Sequence, residues 1–315
     1  MRSIRVTPLS DDLPFGARIV GADLETVQDE DVRKQIHDIF LDRGVILFED
    51  VDPSAQLQLA ISDIFGPLQD HAMRGMPRVD PNATPGLIDL NYQGNIFEVD
   101  GETLYGYVPW HFDACYTAKL NRGGVLRGID LPPEGGLTGF ADGIQIYNAV
   151  SPELRARFED KQVLYHPGLM FMNQRFGMPK SYRVVSLPQA ATTLLEQAEG
   201  APRSVHPAIW TRDTGEKVLH VSPWQASALY GHEDPEGDAL LETLCQAIYA
   251  GMTPYWHQWK PTDMIAWDNW RFLHAVSGND PRYSRRMYRT TIQGDYGLGR
   301  FEDESRDNVV LSMDV

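Results

Sequence analysis

The feature that most constrains this chain is a succession of short apolar runs alternating with turn-forming residues. Candidate strands fall at 124–129, 138–141, 163–166, 205–211, 217–222, 264–268 and 286–293. Between them lie segments such as Leu131-Pro132-Pro133-Glu134-Gly135-Gly136 and Arg212-Asp213-Thr214-Gly215, whose Pro, Gly and Asp residues end strands and turn the chain. That is the pattern of a barrel or sandwich. Helical stretches intrude at 151–159, 188–199 and 236–250, and nothing repeats at a fixed period. The expected fold class is therefore mainly β with helices (α+β): one β-sandwich core, with no separable second domain.

The first seventy residues mix the two kinds of element. Ile4 to Thr7 and Ala17 to Val20 read as short strands with an antiparallel start. Val32, Ile36, Ile39 and Phe40 are spaced for an amphipathic helix from Asp29 to about Gly44, its opening acids suited to the positive end of the helix dipole. Val45-Ile46-Leu47-Phe48 is a short strand, and Ser54 caps a second helix that runs to Phe65-Gly66. Residues 72–110 are rich in Gly, Pro, Asn and Asp, and with 167–190 they are expected to form loops around an active-site mouth. Residues 1–300 form the expected domain, and 301–315 an acidic tail.

Composition removes several function classes. With 28 Lys+Arg against 44 Asp+Glu the formal net charge is −16, which repels nucleic-acid phosphates and anionic lipid alike. No nucleic-acid partner is expected. No run is long enough to cross a membrane and the start lacks a signal-peptide core, so the chain is expected in the cytoplasm. Its two cysteines, Cys115 and Cys245, are too few for a disulfide framework and read as buried fillers.

Chemistry enters at His111-Phe112-Asp113, in a stretch that reads as a strand. Residues two apart on a strand point the same way roughly 6.5 Å apart, so an imidazole and a carboxylate can converge on one cation. A second imidazole would complete the facial triad of a non-haem iron site. In a chain with nine histidines such a pair arises by chance, and His232-Glu233-Asp234, set among turn residues, is read as a solvated turn. The first pair is strengthened by Trp267-Asp268-Asn269, His274, Arg285 and Arg289 downstream. On a strand beginning at Arg285, alternation turns Arg285, Met287 and Arg289 inward and Arg286 and Tyr288 outward. Two arginines facing an apolar interior are costly unless each meets an anion. A guanidinium fork suits a carboxylate, so Arg285 is placed to hold the far end of a dicarboxylate that chelates iron, leaving Arg289 for a second anion.

His111-Phe112-Asp113, Gly135-Gly136-Leu137-Thr138, Trp267-Asp268-Asn269 with His274, and Arg285 with Arg289-Thr290-Thr291-Ile292-Gln293-Gly294-Asp295 resemble the taurine/2,4-D dioxygenase family of Fe(II)- and 2-oxoglutarate-dependent oxygenases. The likeness includes Gly16 to Leu24, Gly44 to Phe48 and Phe65 to Leu68, and runs from about residue 5 to 297. It implies a double-stranded β-helix (jelly-roll, clavaminate-synthase-like) core. It implies iron on His111, Asp113 and His274, 2-oxoglutarate as co-substrate on Thr138 and Arg285, and O2 as oxidant. His71 and Arg289 match substrate-binding positions. Tyr107 stands where the taurine enzyme has Asn, and Arg74 replaces a Tyr, departures that argue against taurine itself as substrate.

The implied reaction is hydroxylation of a small organic acid, a carboxylate or sulfonate that can carry an aromatic body, with release of succinate and CO2. Hydroxylation beside a heteroatom would end in C–O, C–S or C–N cleavage. Asp113 occupies a position where related halogenases have a small residue, which favours hydroxylation. The resemblance also implies a dimer or tetramer. Two alternatives remain at this level: a metal-dependent hydrolase, and a non-catalytic jelly-roll that binds anions. The run Leu169 to Met178, with its Met and Phe residues, is expected either as a lid or as core filling. Trp110 and Trp267 are expected to pack beside the metal-bearing strands.

Overall fold

The computed structural model describes residues 3–70, 76–80, 82–84, 86–91, 94–169, 174–198, 200–303 and 305. Strands β1 (Arg5–Pro8) and β2 (Ala17–Val20) pair antiparallel and lead into helix α1 (Glu30–Arg43). The chain returns as β3 (Val45–Glu49), parallel to β2, then forms helix α2 (Ala55–Asp63). Next come β4 (Leu87–Asn91), β5 (Ile96–Val99), β6 (Glu102–Tyr105), β7 (Val108–His111), β8 (Gly123–Asp130) and β9 (Thr138–Asp142). Helices α3 (Gly143–Ala149) and α4 (Pro152–Ala156) precede β10 (Gln162–Tyr165), β11 (Tyr182–Ser186) and helix α5 (Gln189–Ala198). The chain continues as β12 (Ser204–Pro207), β13 (Ile209–Thr211), β14 (Lys217–Leu219), β15 (Ala226–Leu229) and helix α6 (Pro235–Gly251). It closes with β16 (Tyr255–His257), β17 (Met264–Asp268), β18 (Phe272–Val276), β19 (Arg286–Ile292) and β20 (Arg300–Phe301).

Two sheets make the jelly-roll core: a larger one in the order β1-β2-β3-β17-β8-β19-β4, and a smaller one in the order β16-β9-β18-β7. Val45, Leu47, Leu126, Ile265, Trp267 and Met287 of the first pack against Phe140 and Phe272 of the second. The opposite face of the larger sheet, with Ile46, Phe48, Met264 and Ala266, is covered by α1 and α2 through Val32, Ile36, Phe40, Leu57 and Ile61. Burial on both faces explains why β3 and β17 read as unbroken apolar runs rather than alternating ones. The outer face of the smaller sheet, with Ala141 and Leu273, meets α6 and the sheet β15-β10-β12-β20.

The caps follow local chemistry. The Asp29 carboxylate accepts from the backbone N–H of Asp31 and Val32, and α1 stops at Gly44, whose φ is 73°. A Cβ there would lie 2.3 Å from Phe272 Cε2, so both conformation and packing require glycine. Ser54 caps α2 through Leu57 N–H.

Several expectations change. Residues 72–110 and 167–190 are not loops throughout: the first holds β4 to β7 and the second β11. These strands are too short to show a period, and β4 finds its partner far along the chain in β19. The β5–β6 hairpin turns at Asp100-Gly101, both at positive φ, as a tight two-residue hairpin demands. The single strand expected at 205–211 is two. The chain changes partner at Ala208, whose N–H bonds Lys161 O and whose carbonyl accepts from His220, so β12 pairs β10 while β13 pairs β14. The strand expected at 217–222 stops at Leu219. His71, Arg74, Met170 to Asn173 and the tail from 306 lie outside the described residues. Among the described residues no helix is long and apolar enough to cross a membrane.

Candidate metal centre and active site

His111 ends β7 and stands directly opposite His274 of β18. Residues paired across antiparallel strands share a face, and the two imidazole centroids are 4.1 Å apart. The expectation that Asp113 continues the strand is corrected: β7 ends at His111, and Asp113 lies in the turn that follows, where Ala114 has φ 57°. Its carboxylate still reaches the histidines. Oδ1 lies 3.8 Å from His111 Nε2 and 3.6 Å from His274 Nε2. These separations are long for hydrogen bonds, and the three ligand atoms lie within 4.8 Å of one another.

What holds Asp113 there is Asn269, in the turn between β17 and β18. Its Oδ1 accepts the Asp113 N–H at 2.7 Å, and its Nδ2 donates to Asp113 O at 3.0 Å and to Asn121 O and Oδ1 at 3.2 Å. The Asn269 carbonyl accepts from His220 Nε2 at 2.9 Å, and the His220 ring stacks on Phe112 at 3.9 Å. The motif containing Asn269 was visible in the sequence, but its role as a clamp was not.

The donor set fits a divalent cation. His111 Nδ1–H donates to Pro109 O at 2.8 Å, which leaves the Nε2 lone pair facing the cluster. Burial, then neighbouring His274, pushes the His111 pKa down to about 3 against the opposing pull of Asp113, so the ring is neutral at physiological pH. Burial raises the Asp113 pKa, but Arg289, then His274 and His111, more than reverse this and hold it well below the usual carboxylate range. Asp113 Oδ2 and His274 Nδ1 are buried without a protein hydrogen-bond partner. Two imidazole donors and one carboxylate, the latter with a buried oxygen left over, match a facial triad.

The rest of the inner wall is cationic and aromatic. Phe140 lies opposite His274 and Thr138 opposite Val276, so the Thr138 hydroxyl sits on the same face one strand step from the imidazole. Arg285 is buried, its Nε donating to Gly136 O at 2.8 Å and its Nη2 to Thr138 Oγ1 at 2.9 Å. The predicted alternation holds: Arg285, Met287 and Arg289 are buried, while Arg286 turns outward to Asp89. Arg289 Nη1 donates to Asp113 Oδ1 at 3.1 Å and Nη2 to Thr291 Oγ1 at 3.2 Å, with its guanidinium 5.7 Å above the Trp267 ring. Trp267 also lies 5.2 Å from His274, in space left by Gly124, where a Cβ would be 2.6 Å from Trp267 Cη2. Trp110 packs edge-on against Trp256 at 5.2 Å.

Tyr107, just before β7, packs against Phe97 at 6.4 Å and Tyr182 at 6.3 Å, and burial pushes its pKa up to about 12. From the run 169–178, Phe176 belongs to the core and the Gln174 amide bonds its own turn. His232-Glu233-Asp234 is the turn expected, with Asp234 capping α6 and His232 beside Lys161 at 2.8 Å. His206 and His257 are buried and hydrogen-bonded, His206 to Thr117 O and His257 to Asp263. Both cysteines are buried thiols.

The sequence matches the family model described as Taurine catabolism dioxygenase TauD, TfdA family over residues 5–291. It is 27% identical over 293 residues to the (S)-phenoxypropionate/alpha-ketoglutarate-dioxygenase of Sphingobium herbicidovorans, covering 92% of this chain and 95% of that protein. It is 23% identical to the alpha-ketoglutarate-dependent 2,4-dichlorophenoxyacetate dioxygenase of Cupriavidus pinatubonensis, covering 89% and 95%. Among solved structures, AAD-2 in complex with Mn(II) and N-oxalylglycine superposes with a TM-score of 0.69 at 22% identity, covering 93% of this chain and 98% of that one. A taurine dioxygenase from Burkholderia xenovorans gives 0.66 at 24% identity, covering 93% and 92%.

Proposed function

The chain belongs to the taurine catabolism dioxygenase TauD, TfdA family, and on that premise we propose that it is an Fe(II)- and 2-oxoglutarate-dependent dioxygenase that hydroxylates a small organic acid. The observation that carries the reading is the convergence of His111, Asp113 and His274 on the same inner wall as the Thr138–Arg285 pair. In this reading the first three residues hold Fe(II), and the pair receives the far carboxylate of 2-oxoglutarate. When bound, iron, 2-oxoglutarate and O2 supply the oxidation, in which 2-oxoglutarate leaves as succinate and CO2 and one oxygen atom enters a substrate C–H bond.

The protein contributes position and charge. Arg289 offers a buried cation for the substrate's acid group, and its contact with Asp113 supports a position for that group beside the proposed metal site. Tyr107, with Phe97 and Tyr182, offers an aromatic wall for the substrate body, and the family resemblance assigns His71 to substrate contact. The relatives named for phenoxypropionate and 2,4-dichlorophenoxyacetate support an aryloxyalkanoic acid as the substrate class. Hydroxylation of such an acid beside its ether oxygen would give a product that breaks the C–O bond.

The test supplies Fe(II), 2-oxoglutarate and O2 with a panel of aryloxyalkanoates, alkyl sulfates and sulfonates, and measures succinate. Substrate-stimulated succinate release is expected with an aryloxyalkanoate. A protein that binds metal yet releases no succinate and shows no anaerobic charge-transfer band with 2-oxoglutarate would be a hydrolase or an anion binder instead. Neither of those gives Thr138 and Arg285 a joint role.

A further inference from the structure

The Thr138 hydroxyl carries two hydrogen bonds of the same polarity. Trp259 Nε1 and Arg285 Nη2 each lie 2.9 Å from its oxygen. An indole N–H and a guanidinium can only donate, and a hydroxyl has two acceptor lone pairs and one proton. With both lone pairs occupied, Thr138 can engage a third group only as a donor. Thr138 is buried.

Trp259 is held in place by a separate network. Its ring meets His257 edge-on at 4.7 Å and 89°. His257 lies opposite Thr138 in register and is fixed from both ring nitrogens, Nδ1 3.0 Å from Tyr255 Oη and Nε2 3.1 Å from Asp263 Oδ2. The same Asp263 oxygen accepts Lys260 N–H at 3.1 Å, closing the turn that carries Trp259. Every member is buried except Lys260 and the half-buried Tyr255.

We propose that Trp259 is a positioning residue for the co-substrate: by occupying one lone pair of Thr138 it forces the hydroxyl proton outward, so that the Thr138–Arg285 pair presents donors only and selects a full carboxylate. This rests on the assignment of 2-oxoglutarate to that pair. A hydroxyl free to rotate would accept as readily as donate and would tolerate an amide at that place. With Trp259 in position, an amide nitrogen there would meet a wall of donors.

The experiment is a double-mutant cycle read by calorimetry, titrating 2-oxoglutarate into the Mn(II)-loaded full-length protein, where no turnover occurs. Trp259→Phe keeps the ring and removes the N–H; Thr138→Val keeps the shape and removes the hydroxyl. Trp259→Phe is expected to weaken 2-oxoglutarate about tenfold, with Mn(II) affinity unchanged, and to do so by less than about twofold once Thr138 is Val. It should also narrow the preference for 2-oxoglutarate over its distal amide. Equal losses in both backgrounds, or no loss in either, would overturn the proposal. Should Trp259→Phe fail to fold, Asp263→Asn loosens the same indole from outside the pocket and is expected to give a smaller loss that likewise vanishes with Thr138→Val. If the wild-type Mn(II) protein binds no 2-oxoglutarate, the functional reading itself fails.

Discussion

Replacing Asn269 with alanine tests the claim that the metal site depends on a clamp outside the ligand set. The side chain is fully buried and makes four hydrogen bonds, two of them to the backbone of Asp113. Truncation strands the Asp113 N–H and carbonyl, and each buried polar group left unpaired costs about 1–3 kcal/mol. Two such groups give about 2–6 kcal/mol, a large share of the roughly 5–15 kcal/mol that stabilises a domain. Asn269→Asp would be no gentler, since it keeps the acceptor for Asp113 N–H but turns a buried carboxylate on Asp113 O and two Asn121 oxygens. The assay is urea unfolding of the metal-free protein followed by tryptophan fluorescence, together with calorimetric Mn(II) titration. Asn269→Ala should lower the unfolding free energy by about 4 kcal/mol and weaken Mn(II) at least tenfold, because Asp113 loses its anchor. An unfolding free energy within about 1 kcal/mol of wild type, with unchanged Mn(II) affinity, would refute the clamp.

Further outcomes follow from the same geometry. His111→Ala should abolish tight Mn(II) binding, and wild-type turnover in that variant would sink the triad. Arg285→Ala should raise the dissociation constant for 2-oxoglutarate by roughly ten- to a hundredfold, the worth of a lost charge-assisted hydrogen-bond pair, measured on the Mn(II) form. Arg289→Ala should raise the apparent KM for the aryloxy acid at least tenfold and slow turnover; a retained KM would place the acid elsewhere. Burial pushes His206 and His220 down to about 4 and about 3 from an ordinary 6.5. Unfolding therefore takes up protons below pH 6.5, so stability is full above that value and lost as pH falls toward the folded pKa values. Between pH 7 and pH 5 the metal-free protein should lose about 2 kcal/mol for each of these histidines, seen in urea unfolding at the two pH values; an equal free energy at both would mean the rings are charged when folded.

Much of this molecule was legible in its residues. The apolar runs at β3, β8, β9, β17 and β19, the capped ends of α1 and α2, and the inward parity of Arg285 and Arg289 follow from local period and local chemistry. So did the family pattern that paired His111 and Asp113 with His274. The short strands β4 to β7 were not legible as a set, because four or five residues show little period and their pairing is decided by distant partners. Asp100-Gly101 was a readable hairpin signal within that stretch.

The identity of the donors and the signs of the charges were therefore set by the sequence. What only the tertiary structure decided is who holds whom. Asn269 reaches Asp113 across 156 residues, Arg289 reaches it across 176, and Trp259 reaches Thr138 across 121. Periodicity records which face of a strand is buried, since that depends on near neighbours along the chain. A hydrogen-bond partner depends on which strand lies alongside, and that emerges only when the two sheets close on each other.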